Sequence, residues 1–170
     1  MTGIATALLA AFVGLLAAAA ISDARTMRIP NRLSLGLIAA FLPFGLLAGL
    51  DLATIGIHLL VGLGVLFVTF TMFALRWIGG GDAKLVAAAA IWFGMADVGA
   101  FLFATAIAGG VLTLGIVALR SMPVPVVVGN WLWLTRLQDK TVGVPYGIAI
   151  AAGAFLVLPQ SQVWRLVMPA

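Results

Sequence analysis

Two aspartates, Asp23 and Asp82, lie at the ends of long apolar stretches in a chain that has five acidic residues and no glutamate. If the stretches between them cross a membrane in turn, both carboxylates come to the same face. Neighbouring carboxylates in a low-dielectric setting favour sharing one proton, because like charges repel strongly there. Acid/base hydrolysis of a peptide bond needs one ionised and one protonated carboxyl group, so the pair indicates a membrane-embedded aspartyl protease.

The composition is that of a membrane protein. Of the 170 residues, 64% are hydrophobic and 8% are charged, whereas about a quarter of the residues of an average soluble domain are charged. Six stretches contain no Asp, Glu, Lys or Arg, namely residues 1–22, 33–50, 52–75, 85–96, 98–119 and 141–164. Five of them reach the roughly 18 to 20 residues that a helix needs to cross a bilayer. The fourth is shorter, and becomes long enough if its helix begins at or just after Asp82.

These stretches predict an all-α, polytopic membrane protein with six transmembrane helices and one membrane-embedded domain over residues 1–170. The basic residues are distributed unevenly over the connections. Eight of the nine fall on the side of connections 23–32, 76–84 and 120–140, and Arg165 alone falls on the other. Basic loops tend to stay in the cytoplasm, so both chain ends are predicted outside, with Asp23 and Asp82 at the cytoplasmic boundary. Asp51 and Asp97 are predicted to lie in short turns on the outer side.

A signal peptide is the alternative interpretation of the first stretch. Residues 1–3 carry no Lys or Arg, however, and the apolar stretch is longer than the usual core of a signal peptide, so a retained helix is expected. The absence of cysteine excludes disulfides and thiolate metal ligands. In so apolar a chain, the excess of basic residues indicates membrane topology rather than nucleic-acid binding.

Three consecutive glycines, Gly79, Gly80 and Gly81, precede Asp82. Glycines let the backbone bend sharply and approach other backbone, so they can hold the following side chain at a packed interface. The structural alternative is a loop in which Asp82 caps the N-terminus of a helix, and the two interpretations are compatible. Lys84 either tunes the charge of Asp82 or extends to the membrane surface.

The segment that follows Asp23 has a pattern of its own. Pro30 disfavours helix at Ile29, which predicts that the first helix ends before that point, and Asn31 is the predicted N-cap of the second helix. The structural alternative for Asp23 is an ion pair with a neighbouring arginine at the membrane surface.

Two further features have structural interpretations. Gly143, Gly147 and Ala151 are spaced four residues apart, which predicts one face of a helix that packs closely against another helix. His58 falls near the outer end of the third helix, far from the predicted aspartates. It is expected to be a lone hydrogen-bonded imidazole rather than a ligand.

Together the motifs resemble those of the type IV prepilin peptidase family, which are GxGD-type membrane aspartyl proteases. The resemblance lies in Asp23 with Arg28-Ile29-Pro30-Asn31, in Gly79-Gly80-Gly81-Asp82-Ala83-Lys84-Leu85 and in Val144-Pro145-Tyr146-Gly147. It implies an enzyme of the bacterial inner membrane that cuts the leader peptide from pilin-like precursors at the cytoplasmic face. Asp23 and Asp82 match the two catalytic aspartates, and no metal or other cofactor is expected. The residues expected to support the site are Gly79, Gly81, Lys84, Pro30, Asn31 and Tyr146.

The larger members of that family carry a cytoplasmic insert with paired Cys-x-x-Cys motifs and also methylate the new N-terminus with S-adenosylmethionine. This chain has no cysteine and no room for the insert. It resembles the compact form associated with Flp-type, tight-adherence pili, so cleavage without methylation is expected.

The expected partners are the lipid bilayer and a prepilin with a hydrophobic N-terminal helix, and not nucleic acid. That helix is expected to lie beside the enzyme with its cleavage site unwound near the aspartates, because a helical backbone hides its carbonyls in hydrogen bonds. The alternatives are a GxGD protease acting on other membrane helices, a small proton-coupled transporter and a non-catalytic membrane subunit for pilus assembly.

Overall fold

The computed structural model of the chain describes residues 2–121 and 143–168. In these ranges the protein is all-helical, which confirms the all-α class predicted from the sequence. Arg136 and Lys140, which contribute to the predicted charge asymmetry, lie outside the described residues. The helices are α1 (Thr2–Thr26), α2 (Asn31–Leu47), α3 (Leu52–Ala74), α4 (Gly80–Ser121), α5 (Gly147–Val157) and α6 (Gln162–Val167), with a 3-10 turn (Leu158–Gln160) before α6.

Three of these helices, α1, α3 and α4, are long and apolar enough to cross a membrane. Helices α2 and α5 are shorter apolar helices. The helices do not correspond one to one with the six predicted spans, because the fourth and fifth apolar stretches both lie within α4. The chain is therefore a membrane protein by length and composition of its helices.

Helix α4 is interrupted at Gly94. This residue has φ 55° and ψ −165°, and glycine adopts a positive φ without a steric penalty. A Cβ there would collide with the imidazole ring of His58. That ring is buried and hydrogen-bonded through Nδ1 to the carbonyl oxygen of Ile91, at 2.6 Å. His58 is thus a hydrogen-bonded imidazole, as predicted, and it packs into the bend of α4.

The chain turns back on itself at this interruption. Asp82, early in α4, lines the same cavity as Tyr146, which precedes α5. Late in α4, Gly109 contacts the ring of Tyr146, just before α5 begins. Soon after the interruption, Asp97 accepts a 2.7 Å hydrogen bond from the N–H of Gln162, which follows the end of α5. The part of α4 after Gly94 therefore leads back toward the cavity. The sequence predicted this reversal in a turn around Asp97. In the structure the chain reverses direction at Gly94, where a single residue with positive φ takes the place of a turn.

The largest buried side chains form an aromatic cluster away from the aspartates, about 15 Å along α4 from Asp82. Trp92 of α4 stacks on Phe12 of α1, with ring centroids 4.6 Å apart, and meets Phe44 of α2 at 4.9 Å. Its indole N–H donates a 3.0 Å hydrogen bond to the carbonyl of Leu37, so the buried polar atom is satisfied. The cluster joins α1, α2 and α4 and sets how their other ends meet.

Two local predictions differ from the structure. Pro30 is the N-cap of α2 and Asn31 is its first residue, with no side-chain capping bond, so the prediction that Asn31 caps this helix is wrong. The Asn31 side chain accepts a hydrogen bond from another helix instead. Gly147 and Ala151 are buried on α5, but Gly143 is exposed and precedes the helix, so the predicted small-residue face is shorter.

Candidate active site

A cavity of about 1120 Å³ lies at one end of the helices. The connection between α1 and α2, the connection between α3 and α4 and the segment that precedes α5 all line it. Asp23 and Asp82 both belong to its lining, so segments far apart in the sequence bring the two carboxylates to one place. The residues predicted to support the site line the same cavity, namely Gly79, Gly81, Lys84, Pro30, Asn31 and Tyr146.

Asp23 is held by the start of α5. It lies near the end of α1 with 5% of its surface exposed, and its Oδ2 accepts a 2.7 Å hydrogen bond from the backbone N–H of Gly147. Hydrogen bonds from a backbone N–H to a carboxylate are among the stronger ones in proteins. A Cβ at position 147 would lie 3.0 Å from both Cβ and Oδ2 of Asp23, so this approach depends on glycine.

Asp82 is held by the glycines that precede it. The backbone N–H of Gly79 donates a hydrogen bond to the carboxylate, and the Gly79 carbonyl accepts from the N–H of Ala83 at 3.0 Å. Asp82 therefore lies in the first turn of α4 and reaches back to the capping position, as the acidic residue of a capping box does. The structural alternative predicted Asp82 as the N-cap of this helix. Asp82 is not the N-cap, but it stabilises the helix N-terminus from within the first turn.

The two carboxylates are close enough for the charge of Asp23 to act on Asp82. Tyr146 is the third titratable group of the cluster, because the charge of Asp82 acts on it as well. Burial, and then the charge of Asp82, raise the pKa of the Tyr146 hydroxyl above its ordinary value. The phenol thus stays protonated at neutral pH and retains a hydrogen to donate.

Ile29 fills the space between the two glycine segments. Its Cβ lies 3.3 Å from the position of a Cβ on Gly81, and its Cδ1 lies 3.2 Å from that of a Cβ on Gly147. From the sequence, Ile29 was significant only as the residue before Pro30, and no packing role was predicted for it. A signal was present, since a large apolar residue between Arg28 and Pro30, in a connection at the membrane boundary, is a candidate for packing.

Lys84 links α4 to α2 beside the cavity. Its Nζ donates a 2.8 Å hydrogen bond to Oδ1 of Asn31, so the first turns of α2 and α4 are joined beside the cavity. Neither of the two predicted roles of Lys84, tuning the charge of Asp82 or extending to the membrane surface, describes this contact. Asn31 and Lys84 are both exposed.

Backbone strain is concentrated around the cavity. Among the described residues, the non-glycine residues with positive φ are Met27 (53°) and Arg76 (64°), and both line the cavity. Arg76 ends α3 with a Schellman motif, in which the N–H of Trp77 donates to the carbonyl of Met72 at 2.9 Å, a place where glycine is usual. This conformation costs a residue with a Cβ about 1–2 kcal/mol, and such strain is typical of functional sites.

Comparison with known proteins gives one result. The model of the type IV leader peptidase family matches residues 10–114, and neither the curated proteins nor the solved structures gave a match. The matched segment includes Asp23, Asp82 and the glycines between α3 and α4. It ends before Tyr146 and Gly147, which the fold brings to the same cavity. Since the match covers more than half of the sequence and contains both aspartates, the chain belongs to the type IV leader peptidase family.

Proposed function

We propose that the chain is an aspartic endopeptidase that removes the leader peptide from type IV prepilins, with Asp23 and Asp82 as the catalytic pair. The observation that carries the proposal is that both carboxylates line one cavity and interact through their charges. Membership of the leader peptidase family supports the reaction and the prepilin substrate. It also favours a peptidase over a transporter or a purely structural subunit.

The proposed mechanism uses the two carboxyl groups in opposite protonation states. The ionised one takes a proton from water, which attacks the scissile carbonyl carbon while the protonated one donates to the carbonyl oxygen. When the tetrahedral intermediate collapses, the first gives its proton to the leaving amine and the second takes back the proton of the oxygen. The reaction requires no cofactor, and the N–H groups of Gly147 and Gly79 hold each carboxylate during it.

The remaining assigned residues act in this proposal by positioning. Gly79 and Gly81 permit the close approach of the α3–α4 connection, and Pro30 starts α2 so that Asn31 meets Lys84. Tyr146 lies near enough to Asp82 for their charges to interact, and its protonated hydroxyl is the candidate hydrogen-bond donor that supports the aspartates.

Exchange of either aspartate for asparagine tests this function. Asp23→Asn and Asp82→Asn remove a proton carrier while keeping a similar shape, so cleavage of a co-expressed prepilin should fall by about 10²–10⁴-fold, the usual contribution of a general acid or base. Uncut precursor should accumulate on a gel, although both variants remain in the membrane fraction in normal amounts. Full processing by both variants would refute the catalytic pair.

The matched controls are the aspartates of the opposite end. Asp51 accepts a 2.8 Å hydrogen bond from the N–H of Thr54, and Asp97 accepts one from Gln162. Asp51→Asn and Asp97→Asn each remove one charge from the same apolar chain, but far from the cavity. We expect both variants to process prepilin as the wild type does.

The proposal places the cavity at the cytoplasmic face of the bacterial inner membrane, in a single domain with six membrane crossings and both termini outside. The support is the distribution of charge, because Arg28, Arg76 and Lys84 line the cavity while Arg165 lies on α6, beyond the far end of α5. Positive residues favour the cytoplasmic side. The six crossings are α1, α2, α3, the two parts of α4, and α5 together with the 3-10 turn and the residues that flank it.

The natural chain has no cysteine, so single cysteines report on this topology directly. Trp77 lines the cavity and Leu52 begins α3 at the other end, and their exposed fractions are 71% and 79%. In intact spheroplasts, a membrane-impermeant maleimide should label Leu52→Cys, and should label Trp77→Cys only after lysis. The reverse pattern would contradict the proposed orientation.

The proposal also assigns the chain to the compact, Flp-type enzymes that do not methylate their product. The absence of cysteine from the 170 residues supports it. Mass spectrometry of the cleaved pilin, made with S-adenosylmethionine present, should give an unmethylated N-terminus. A methylated product formed by the purified enzyme would contradict this part of the proposal.

A further inference from the structure

An apolar groove of about 380 Å³ lies beside the candidate active site, between α2, α3 and the first part of α4. Leu35 of α2 and Leu63 of α3 stand at its walls, with 63% and 61% of their surfaces exposed. The buried residues Ala87 and Ala88 of α4 belong to its floor. Its volume is within the range of ligand sites, about 300–1,000 Å³.

The groove exists because α2 and α3 separate as they approach the active-site end. The two helices make few contacts with each other, whereas each packs against α4. They meet beside their connecting turn, where a Cβ on Gly45 would lie 3.1 Å from Cγ1 of Ile55. Toward Asn31 the space between them is open, and α4 closes it from behind.

The groove is continuous with the catalytic cavity. Asn31 and Lys84 line both, and their 2.8 Å hydrogen bond marks the boundary. From this boundary the groove extends along α2 as far as Ile38, about 10 Å at the rise of an α-helix. A polar site with two carboxylates thus leads directly into an apolar channel that runs along the membrane-spanning helices.

We propose that this groove binds one face of the hydrophobic helix that follows the scissile bond of the prepilin. The inference rests on the proposed function, and deepens it by naming where the substrate helix docks. The substrate has a polar leader, a cleavage site and then an apolar helix, which is the order of surfaces that runs from the cavity into the groove. A lipid acyl chain is also apolar, but it has no polar segment that would occupy the adjoining cavity.

The dimensions favour one helix face over a whole helix. A helix about 10–12 Å across with a 5.4 Å pitch fills about 400–600 Å³ per turn, more than the groove contains. In a bilayer, burying apolar surface between two helices gives no hydrophobic stabilisation, because the lipid tails are equally apolar. Helices in membranes therefore associate through close packing over small residues. The floor supplies such residues in Ala87 and Ala88, and side chains of the substrate helix fill the space above them.

Variants that fill the groove test the proposal. Ala87→Phe raises the floor and Leu63→Trp narrows one wall, while Leu60→Trp on the same helix, at a leucine 66% exposed and outside the lining, is the matched control. Each is assayed in proteoliposomes with full-length prepilin and with a truncated peptide that ends shortly after the scissile bond. The truncated peptide does not reach the groove, so it serves as the reference for the chemistry.

We expect both groove variants to raise KM for full-length prepilin by about tenfold, the size of an ordinary overpacking penalty, with kcat unchanged. The ratio kcat/KM for the truncated peptide should stay at the wild-type value, and Leu60→Trp should match the wild type on both substrates. Wild-type kinetics on full-length prepilin for both groove variants would overturn the proposal. An equal loss on the truncated peptide would overturn it too, because the substitutions would then act on the catalytic site.

Photo-crosslinking gives a readout that does not depend on turnover. A benzoylphenylalanine in place of Leu63, in the Asp82→Asn background, should crosslink to the apolar segment of the prepilin, and one in place of Leu60 should not. Adducts to lipid alone, or equal yields from both positions, would refute prepilin as the occupant. If the wild-type enzyme cut neither the full-length prepilin nor the truncated peptide, the proposed function itself would be contradicted. Failure of the groove proposal and failure of the proposed function are therefore distinguishable.

Discussion

The backbone N–H of Gly147 donates a 2.7 Å hydrogen bond to Oδ2 of Asp23, across 124 residues of sequence. The start of α5 therefore determines where the carboxylate at the end of α1 points. Gly147 is the first residue of α5, an apolar helix that packs against α1 and α4, so the hydrogen bond is supported by the packing of three helices. The position of one proposed catalytic group depends on a residue outside the segment that matches the family.

Gly147→Ala should reduce cleavage without unfolding the protein. The new Cβ would lie 3.0 Å from Asp23 Oδ2, and a displacement of about 1 Å at a catalytic group can lower the rate by about a hundredfold. Gly147 does not have a positive φ, so alanine is compatible with its backbone conformation and the fold should be retained. The prediction is checked by prepilin cleavage rates together with the thermal unfolding midpoint in detergent.

Gly115→Ala on α4 is the matched control for that variant, because its Cβ would meet no atom within 4 Å. It should cleave prepilin at the wild-type rate. Equal activity of Gly147→Ala and Gly115→Ala would show that the contact with Asp23 has no role in cleavage.

Gly79→Ala should also reduce cleavage, through the other carboxylate. A Cβ on Gly79 would lie 2.8 Å from Asp82 Oδ2, so the carboxylate must move. Gly80→Ala is the neighbouring comparison, since its Cβ would meet the ring of Phe73 at 3.1 Å, and this half-exposed ring can rotate away. We expect a loss of about tenfold or more for Gly79→Ala and a smaller one for Gly80→Ala, in the same prepilin assay. A larger loss for Gly80→Ala would contradict the assignment.

Lys84 and Asn31 should show energetic coupling. A hydrogen bond contributes about 0.5–1.5 kcal/mol net, and this bond joins exposed residues, so a coupling near the lower limit is expected. The test is a double-mutant cycle with Lys84→Met and Asn31→Ala, measured on kcat/KM for the truncated peptide. The double variant should have a kcat/KM only slightly lower than that of either single variant. Strictly additive losses would mean that the two side chains act independently.

Asp51→Ala should lower stability in a pH-dependent way and leave cleavage unchanged. Hydrogen bonds from the hydroxyl and then the N–H of Thr54 lower the pKa of Asp51 below the ordinary value of 3.8. A carboxylate with a lowered folded-state pKa contributes stability above its unfolded-state pKa, and this contribution is lost as the pH falls through the folded-state pKa.

The measurement for Asp51 is the difference in thermal midpoint between wild type and Asp51→Ala, taken from neutral pH downward. This difference should be constant at neutral pH and should shrink below about pH 4. A difference that grows on acidification would contradict the assigned role of the carboxylate.

Hydropathy was sufficient to predict the class of fold. With 8% charged residues, the chain offers few alternatives to apolar helices joined by short connections, because backbone groups in lipid must be satisfied within each segment. The same pattern assigned Asp23 and Asp82 to one end, and the cavity that both line is at one end. That assignment needed only the order of the apolar stretches.

The local errors arose where a tertiary contact replaced a sequence rule. Asn31 is a good capping residue by type, but its side chain bonds to Lys84. The turn around Asp97 was expected because that acid interrupts an apolar run, yet the reversal is at Gly94, where the ring of His58 occupies the space that a Cβ would need. Neither partner is a neighbour in sequence.

The order of apolar and charged residues thus determined that the chain forms membrane helices and which connections share an end, because hydropathy acts on each stretch separately. Only the tertiary structure decided which atoms meet. The contact of Gly147 with Asp23 and the groove between α2 and α3 depend on how each helix is rotated and tilted against α4. Those angles result from side chains of several helices packing together, so no single stretch of the sequence contains them.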